Sequence, residues 1–230
     1  MLDRPWYGYN LYQAAILAKK LSIPKISVIE FGVAAGGGII NIEKHIKQIS
    51  SFTGVDFEIY GFDTSYGLPE LLDYRDLKHT WEPGMFQMDF ENLQKKLAFS
   101  KLIIGRIEET LDTFFENHRP APIGCIMFDL DLYSSTKAAF KIFNGDSSYF
   151  LPRIRCYFDD ILGNETSLSN KFVGEALAIE EFNQEKEHIK ITPLPHLLAK
   201  TFPYKWYHKC YATHLFTHPL YEKRVNNSRE

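Results

Sequence analysis

Two apolar runs that each end in acids constrain this chain most. Ile123 to Phe128 leads into Asp129-Leu130-Asp131, and Ile154 to Phe158 leads into Asp159-Asp160. The segment between them, Ser134 to Phe143, is helix-like, so the unit reads strand, helix, strand. Such a unit lays its two strands parallel, with their C-terminal ends at one crevice. Directly paired strands lie about 4.8 Å apart, which crowds the carboxylates. Two such charges about 4 Å apart repel by roughly 4 kcal/mol at an effective dielectric of about 20. A bound cation, shared protons or solvent must relieve that repulsion, and a cation is the leading reading.

The rest of the chain repeats the alternation. Helical spacing at Leu11, Ala14, Ala15, Ala18 and Leu21 predicts a helix over Asn10 to Leu21, followed by a strand from Lys25 to Val33. A glycine-rich turn, Ala34 to Gly38, precedes a helix carrying Ile39, Ile42, Ile46 and Ile49. Further strands are expected at Phe57 to Phe62, Leu102 to Gly105, His188 to Pro193 and Cys210 to Phe216. Further helices are expected at Phe90 to Phe99, Glu108 to Asn117 and Val173 to Lys186. The expectation is one α/β domain with a doubly wound, mostly parallel sheet. An N-terminal helical cap (1–24), a loop suited to a substrate lid (64–90) and a polar tail (219–230) would complete it. In this architecture ligands bind beyond the strand C-termini, at the topological switch point. Glu30, Asp63, Arg106 to Glu108, Asp129, Asp131, Asp159 and Asp160 all fall there.

Bulk properties narrow the class. The 230 residues are 45% hydrophobic and 24% charged, with a formal net charge of −3. No basic block offers a phosphate-backbone footprint, so no nucleic-acid partner is expected. No apolar run reaches bilayer length and the start lacks a signal-like pattern, so no membrane partner is expected either. Cys125, Cys156 and Cys210 are odd in number and widely spaced. They read as buried free thiols of a cytoplasmic protein.

Glu30-Phe31-Gly32-Val33-Ala34-Ala35-Gly36-Gly37-Gly38 closes one strand and opens a helix. Glycines there permit a tight turn and close approach of a ligand to the backbone. Asp63, at the end of the next strand, is placed to accept hydrogen bonds from ribose hydroxyls. The spacing is not that of a dinucleotide fingerprint, because Ala34 stands at the second glycine position, and no Walker-type G-K-[ST] occurs. Glu30 would oppose a pyrophosphate but suits a cationic ligand. S-adenosyl-L-methionine carries an ammonium, a sulfonium and a ribose, and no phosphate.

Taken in order, Ile29 to Gly37, Tyr60-Gly61-Phe62-Asp63-Thr64 with Gly67-Leu68-Pro69, Asp129 to Thr136, and Phe158-Asp159-Asp160 resemble class I S-adenosylmethionine-dependent methyltransferases. They are most similar to the macrocin O-methyltransferase-like group. The resemblance covers roughly residues 5 to 185. It implies a seven-stranded Rossmann-like sheet with an antiparallel last strand. It also implies cofactor contacts from Glu30, Gly32, Ala34, Gly36 and Thr64, ribose binding at Asp63, and adenine contacts near Ile107 and Glu108. By position it implies a divalent ion, Mg²⁺ or another hard cation, on Asp129, Asp159 and Asp160. Asp131 stays open as an alternate ligand, because residues two apart on a strand share a face.

The expected activity is O-methyl transfer to a small-molecule acceptor, a sugar or another small metabolite. Two departures stand out. Catechol-type relatives have a lysine base shortly after the first metal aspartate, where this chain has Leu132, and Leu130 replaces a frequent glycine. The base is then sought among Asp131, His79 and His196. Tyr133-Ser134-Ser135-Thr136 reads as a source of helix-capping hydroxyls. The lid region carries Tyr66, Tyr74, Trp81 and Phe86. The cluster Trp6, Tyr7, Tyr9 and Tyr12 would either cover the cofactor or seal a homo-oligomer. The rival readings are an NAD-linked enzyme on a similar sheet and a non-catalytic S-adenosylmethionine-binding protein.

Overall fold

The computed structural model describes residues 3–202 and 204–225. Strand β1 (Lys25–Phe31) is buried at every position after Lys25, and β4 (Ile123–Phe128) is buried throughout. Strands this apolar on both faces must lie at the centre of a covered sheet. They do, within seven strands ordered β3-β2-β1-β4-β5-β7-β6. The others are β2 (Asp56–Asp63), β3 (Lys101–Ile104), β5 (Phe150–Phe158), β6 (Ile189–Pro193) and β7 (Cys210–Leu215). Strands β1 to β5 run parallel, while β7 is antiparallel to both β5 and β6.

Helices cover both faces. On one face α1 (Pro5–Leu21) and α2 (Gly37–Thr53) share an apolar cluster with β1 and β4. On the other lie α4 (Ile107–His118), α5 (Tyr133–Ala139) and α6 (Gly174–Glu185). Short helices α3 (Phe90–Lys96) and α7 (Pro195–Leu198) complete the set. From β1 the chain winds outward through β2 and β3, then returns to place β4 on β1's other side. The reversal opens a crevice beyond the C-terminal ends of β1 and β4.

Register decides what borders that crevice. Phe31 pairs with Phe62 on one side and Phe128 on the other, and Phe128 pairs with Phe158. The four rings form a row with centroids 4.9 Å (Phe31–Phe62), 5.6 Å (Phe31–Phe128) and 4.6 Å (Phe128–Phe158) apart. All four are fully buried. Burying one such side chain contributes about 1.5–3 kcal/mol, and aromatic contacts add roughly 0.5–1.5 kcal/mol each. The residues that follow the row are Gly32, Asp63, Asp129 and Asp159. Strand alternation sends them to the opposite face, so a rigid aromatic layer sets the height of three acids. The ladder continues one step into the crevice, with Asp129 N–H donating to the Phe31 carbonyl and Asp159 N–H to the Phe128 carbonyl.

Local differences from the sequence reading have physical causes. Helix α1 starts at Pro5, not Asn10, because proline is accommodated in a first turn and Tyr7 faces the core. Strand β5 starts at Phe150, ahead of Ile154. Its Pro152 falls where the pairing with β4 shifts register, so no ladder bond is lost there. Helix α5 stops at Ala139 and tightens into a 3-10 turn, Phe140–Asn144. Of the expected polar tail, residues 219–225 pack back: Tyr221 meets Phe216 and His214 edge-on, and Lys223 donates to the Leu21 carbonyl. Residues 226–230 lie outside the described residues. All three cysteines are free and buried. Among the described residues no helix is long and apolar enough to cross a membrane.

Candidate functional site

One cavity of about 540 Å³ fills the crevice. Its wall includes Glu30, Gly32, Ala34, Asp63, Thr64, Ile107 and Glu108 on the β1–β3 side, and Asp129, Asp131, Asp159 and Asp160 on the β4–β5 side. Three residues singled out in the sequence stand apart. Gly36 does not line the cavity. Its φ of +84° ends the turn, and a Cβ there would fall 2.1 Å from Leu93 Cδ1, so it serves the turn and its packing. His79 is also outside, with Nε2 3.0 Å from the Ser167 carbonyl oxygen. It is thereby removed as a base for chemistry in this cavity. His196 pairs with Tyr9 away from the wall and is removed likewise.

The turn after β1 is shaped by two carboxylates. Asp63 Oδ2 accepts from the N–H groups of Val33 and Ala34, both at 2.9 Å, and Oδ1 accepts from Ser65 N–H at 2.7 Å. Three backbone bonds to one carboxylate fix the turn, and Oδ1 keeps a lone pair free for another donor. Gly32 has φ +82°, and a Cβ on it would meet the Asp129 carbonyl oxygen at 1.8 Å, so only glycine lets β1 and β4 close here. Glu30 is 1% exposed. Its Oε1 accepts from Tyr7 Oη at 3.0 Å, while Oε2 is buried without a partner among the described residues. Gly38 makes room for it, since a Cβ would fall 1.7 Å from Oε1. Burial, reinforced by Asp129, pushes the Glu30 carboxyl up to about 8. A buried acid oxygen with no donor is costly, and a cationic group entering the cavity would relieve it.

The opposite wall is crowded. One carboxylate oxygen from each of Asp129, Asp159 and Asp160 lies within 4.8 Å of the others. Burial, then Asp159, raises the Asp129 carboxyl to about 6. Burial and the neighbouring Asp131 raise Asp160 well above the ordinary range. Asp131 itself sits at φ +61°, inside a tight turn in which Leu132 N–H reaches the Leu130 carbonyl. A non-glycine residue held there costs of order 1 kcal/mol or more, and such strain collects at functional sites. Its N–H donates to Asp160 Oδ2 at 3.1 Å. An oxygen-only donor set of three converging carboxylates fits a hard divalent cation.

Several residues around this wall escaped the sequence reading. Lys209 Nζ lies 3.0 Å from Asp159 Oδ1, which also accepts from Tyr157 Oη at 3.1 Å. Arg4 lies 3.6 Å from Asp129. Glu175 is 1% exposed, and its Oε2 accepts the Asp160 N–H at 2.9 Å. Only Tyr157 carried a usable signal, being two residues from Asp159 on one strand. The others arrive from distant segments. The hydroxyls of Tyr133 to Thr136 do not cap α5. Instead Asp76, fully buried in the 64–89 loop, accepts both the N–H and the Oγ–H of Ser134, and Thr136 Oγ1 donates back to the Leu132 carbonyl. Of the loop aromatics, Trp81 and Phe86 line the cavity, while Tyr66 and Tyr74 are exposed.

The sheet order, the antiparallel β7 and the placement of the crevice define a doubly wound, Rossmann-like α/β fold. No model of a known protein family and no curated protein sequence matches the chain. Solved structures do. CalS11, a calicheamicin methyltransferase, superposes with a TM-score of 0.61 at 21% identity, covering 93% of this chain and 80% of that one. Its apo structure, described as a TDP-rhamnose 3'-O-methyltransferase, gives 0.54 at 20% identity, covering 93% and 81%. The O-methyltransferase NovP gives 0.55 at 16% identity, covering 78% and 72%.

Proposed function

We propose that this chain is an S-adenosylmethionine-dependent, Mg²⁺-assisted O-methyltransferase acting on a hydroxyl of a sugar or other small metabolite. The observation that carries the reading is the meeting of two unlike half-sites in one cavity: a glycine-rich turn flanked by Glu30 and Asp63, and an acidic triad. The fold likeness to CalS11 and NovP supports it. The dinucleotide alternative loses ground on the turn itself. Two of its N–H groups are turned to Asp63, and the buried Glu30 carboxyl stands beside it. A pyrophosphate would find the Val33 and Ala34 donors already committed.

In this reading Glu30, Asp63, Thr64, Ile107 and Glu108 hold S-adenosylmethionine, which supplies an electrophilic methyl group. Asp129, Asp159 and Asp160 hold the metal, which would lower the pKa of an acceptor hydroxyl. Glu30, whose buried Oε2 has no partner among the described residues, would answer positive charge on the cofactor, and Asp63 Oδ1 keeps a lone pair for a ribose hydroxyl. Asp131, the one remaining acid of the wall, takes the proton of the acceptor hydroxyl on its carboxylate, in place of the lysine whose position Leu132 occupies. Burial and Asp129 raise its carboxyl, which strengthens it as a base near neutral pH. Trp81 and Phe86 limit water at the cavity mouth.

Titration calorimetry with S-adenosylmethionine tests the cofactor half, and absence of heat from the folded protein would sink the proposal. Formation of S-adenosylhomocysteine with a panel of sugars and phenols, with and without chelator, tests the rest.

A further inference from the structure

The loop over 64–89 does more than border the cavity with Trp81 and Phe86. Its Asp76 is 0% exposed, ends a 3-10 turn (Tyr74–Asp76) and reaches across to the start of α5. We infer that Asp76 is a positioning residue: by holding Ser134 it fixes the strained turn at Asp131, and through that turn it sets the Asp160 carboxylate within the acidic triad. The inference rests on the proposed metal role of the triad for its chemistry, and on the hydrogen bonds themselves for the linkage.

Both oxygens of Asp76 are committed. Oδ1 accepts the Ser134 N–H at 2.8 Å, while Oδ2 accepts the Ser134 hydroxyl at 3.0 Å and the Leu72 N–H at 2.9 Å. A carboxylate offers two oxygens at a fixed spacing, so it fastens Ser134 at two points. The neighbouring residue doubles the grip. Arg75 lays its guanidinium 4.6 Å over the Tyr133 ring and donates from Nη1 to Tyr133 Oη at 3.1 Å. That hydroxyl donates onward to Glu181 Oε2 at 2.6 Å. Asp73 holds the other edge of Arg75, accepting from Nε at 3.0 Å and from Nη2 at 2.8 Å. Two successive loop residues thus hold two successive residues of the first turn of α5.

What they hold is the exit of the Asp131 turn. Asp131 sits at φ +61°, a conformation that a non-glycine residue keeps only when its surroundings impose it. The entrance to the turn is fixed by the Asp129 N–H on the Phe31 carbonyl, and the exit by Ser134. Between these anchors the Asp131 N–H donates to Asp160 Oδ2 at 3.1 Å. Asp160 is held at its backbone as well, its N–H donating to Glu175 Oε2. Release of Ser134 lets Asp131 relax toward ordinary backbone angles. Its N–H then turns away, and the Asp160 carboxylate is free to rotate out of the cluster. A mere helix cap would need Ser134 alone. Asp76 also holds Leu72, which lines the cavity together with Trp81, Phe86 and Ser134. One side chain therefore ties the loop that borders the cavity to the acids at its base.

The test uses Mn²⁺ as the metal probe, with the full chain and the variants Asp76→Ala, Ser134→Ala and Glu43→Ala. Glu43 is the matched control, a buried carboxylate on α2 that accepts the N–H groups of Ala98, Phe99 and Ser100. Electron paramagnetic resonance reports free Mn²⁺, and hydrogen exchange reports the backbone over 130–134. Asp76→Ala should weaken Mn²⁺ binding about 10- to 100-fold, the range for losing a group that orients a metal ligand, and should quicken exchange over 130–134. Ser134→Ala, which removes one neutral donor, should weaken Mn²⁺ about three- to tenfold. Glu43→Ala should lose stability in urea and show neither change. Mn²⁺ affinity equal to wild type in Asp76→Ala, or weakened as much in Glu43→Ala, overturns the positioning role. Unchanged exchange over 130–134 does so too. If Asp76→Ala does not fold, Ser134→Ala decides by the same criteria. Wild type that binds no Mn²⁺ overturns the metal reading instead, and exchange alone then decides whether Asp76 holds the Asp131 turn.

Discussion

The two walls of the main cavity carry the same residue type in opposite states. Asp63 on the β2 side is satisfied, with three backbone N–H groups on its two oxygens. The acids on the β4–β5 side have fewer donors and crowd one another. Asp129 and Asp160 are raised by burial and by the acids beside them, and Asp131 sits in strained backbone. The cations that reach this wall, Arg4 and Lys209, come from the N-terminal helix start and the approach to β7. A satisfied carboxylate shapes a turn, and the opposite wall gathers acids that repel one another. The contrast separates scaffold from chemistry within one cavity.

The largest effect should come from breaking the contrast on the frustrated side. Asp159→Asn removes a ligand of the proposed metal site, and turnover should fall at least about 10³-fold while affinity for S-adenosylhomocysteine stays within about twofold. Activity equal to wild type in the same assay would refute the metal role. On the satisfied side, Asp63→Ala deletes three charge-assisted bonds and should cost about 3 kcal/mol in urea unfolding, with cofactor binding abolished. A cost below about 1 kcal/mol would mean that the turn holds without it.

Adding Mg²⁺ at about 100 times its Kd should stabilise the protein by about 2.7 kcal/mol, and Asp159→Asn should abolish that shift. Glu30 lies at the seam and gives a pH signature. Its folded-state value, about 8, stands above its ordinary value of 4.5. The associated stability is therefore fully present below about pH 4.5 and is lost as pH rises through about 8. Glu30→Gln should flatten that fall, and an unchanged slope would show that the carboxyl is not held protonated. The smallest effect expected is from Lys209→Met without metal, a loss of about 1 kcal/mol.

The same contrast governs what could be read from the sequence. The satisfied half is local: β1, its turn and Asp63 are encoded by apolar runs, glycines and an acid at a strand end. The Phe-Asp pairs at 62–63, 128–129 and 158–159 were also legible, because strand alternation converts them directly into an aromatic floor and an acidic rim. The frustrated half is closed by residues distant in the chain. Nothing around Lys209, Arg4 or Glu175 announces a partner, since their contacts depend on how β7, α1 and α6 pack. His79 drew attention as a residue type alone, and the loop fold carried it to Ser167 instead. Ser134 was legible as part of a helix start. That its bonds go to Asp76, far back in the chain, was not.

Calorimetric titration of S-adenosylhomocysteine into wild type, Asp159→Asn and Glu30→Gln tests the division most directly. The two-half account predicts one saturable site, with unchanged affinity in Asp159→Asn and about tenfold weaker binding in Glu30→Gln, where one charge interaction is removed. No binding to the folded wild type, or a loss in Asp159→Asn as large as in Glu30→Gln, would contradict it.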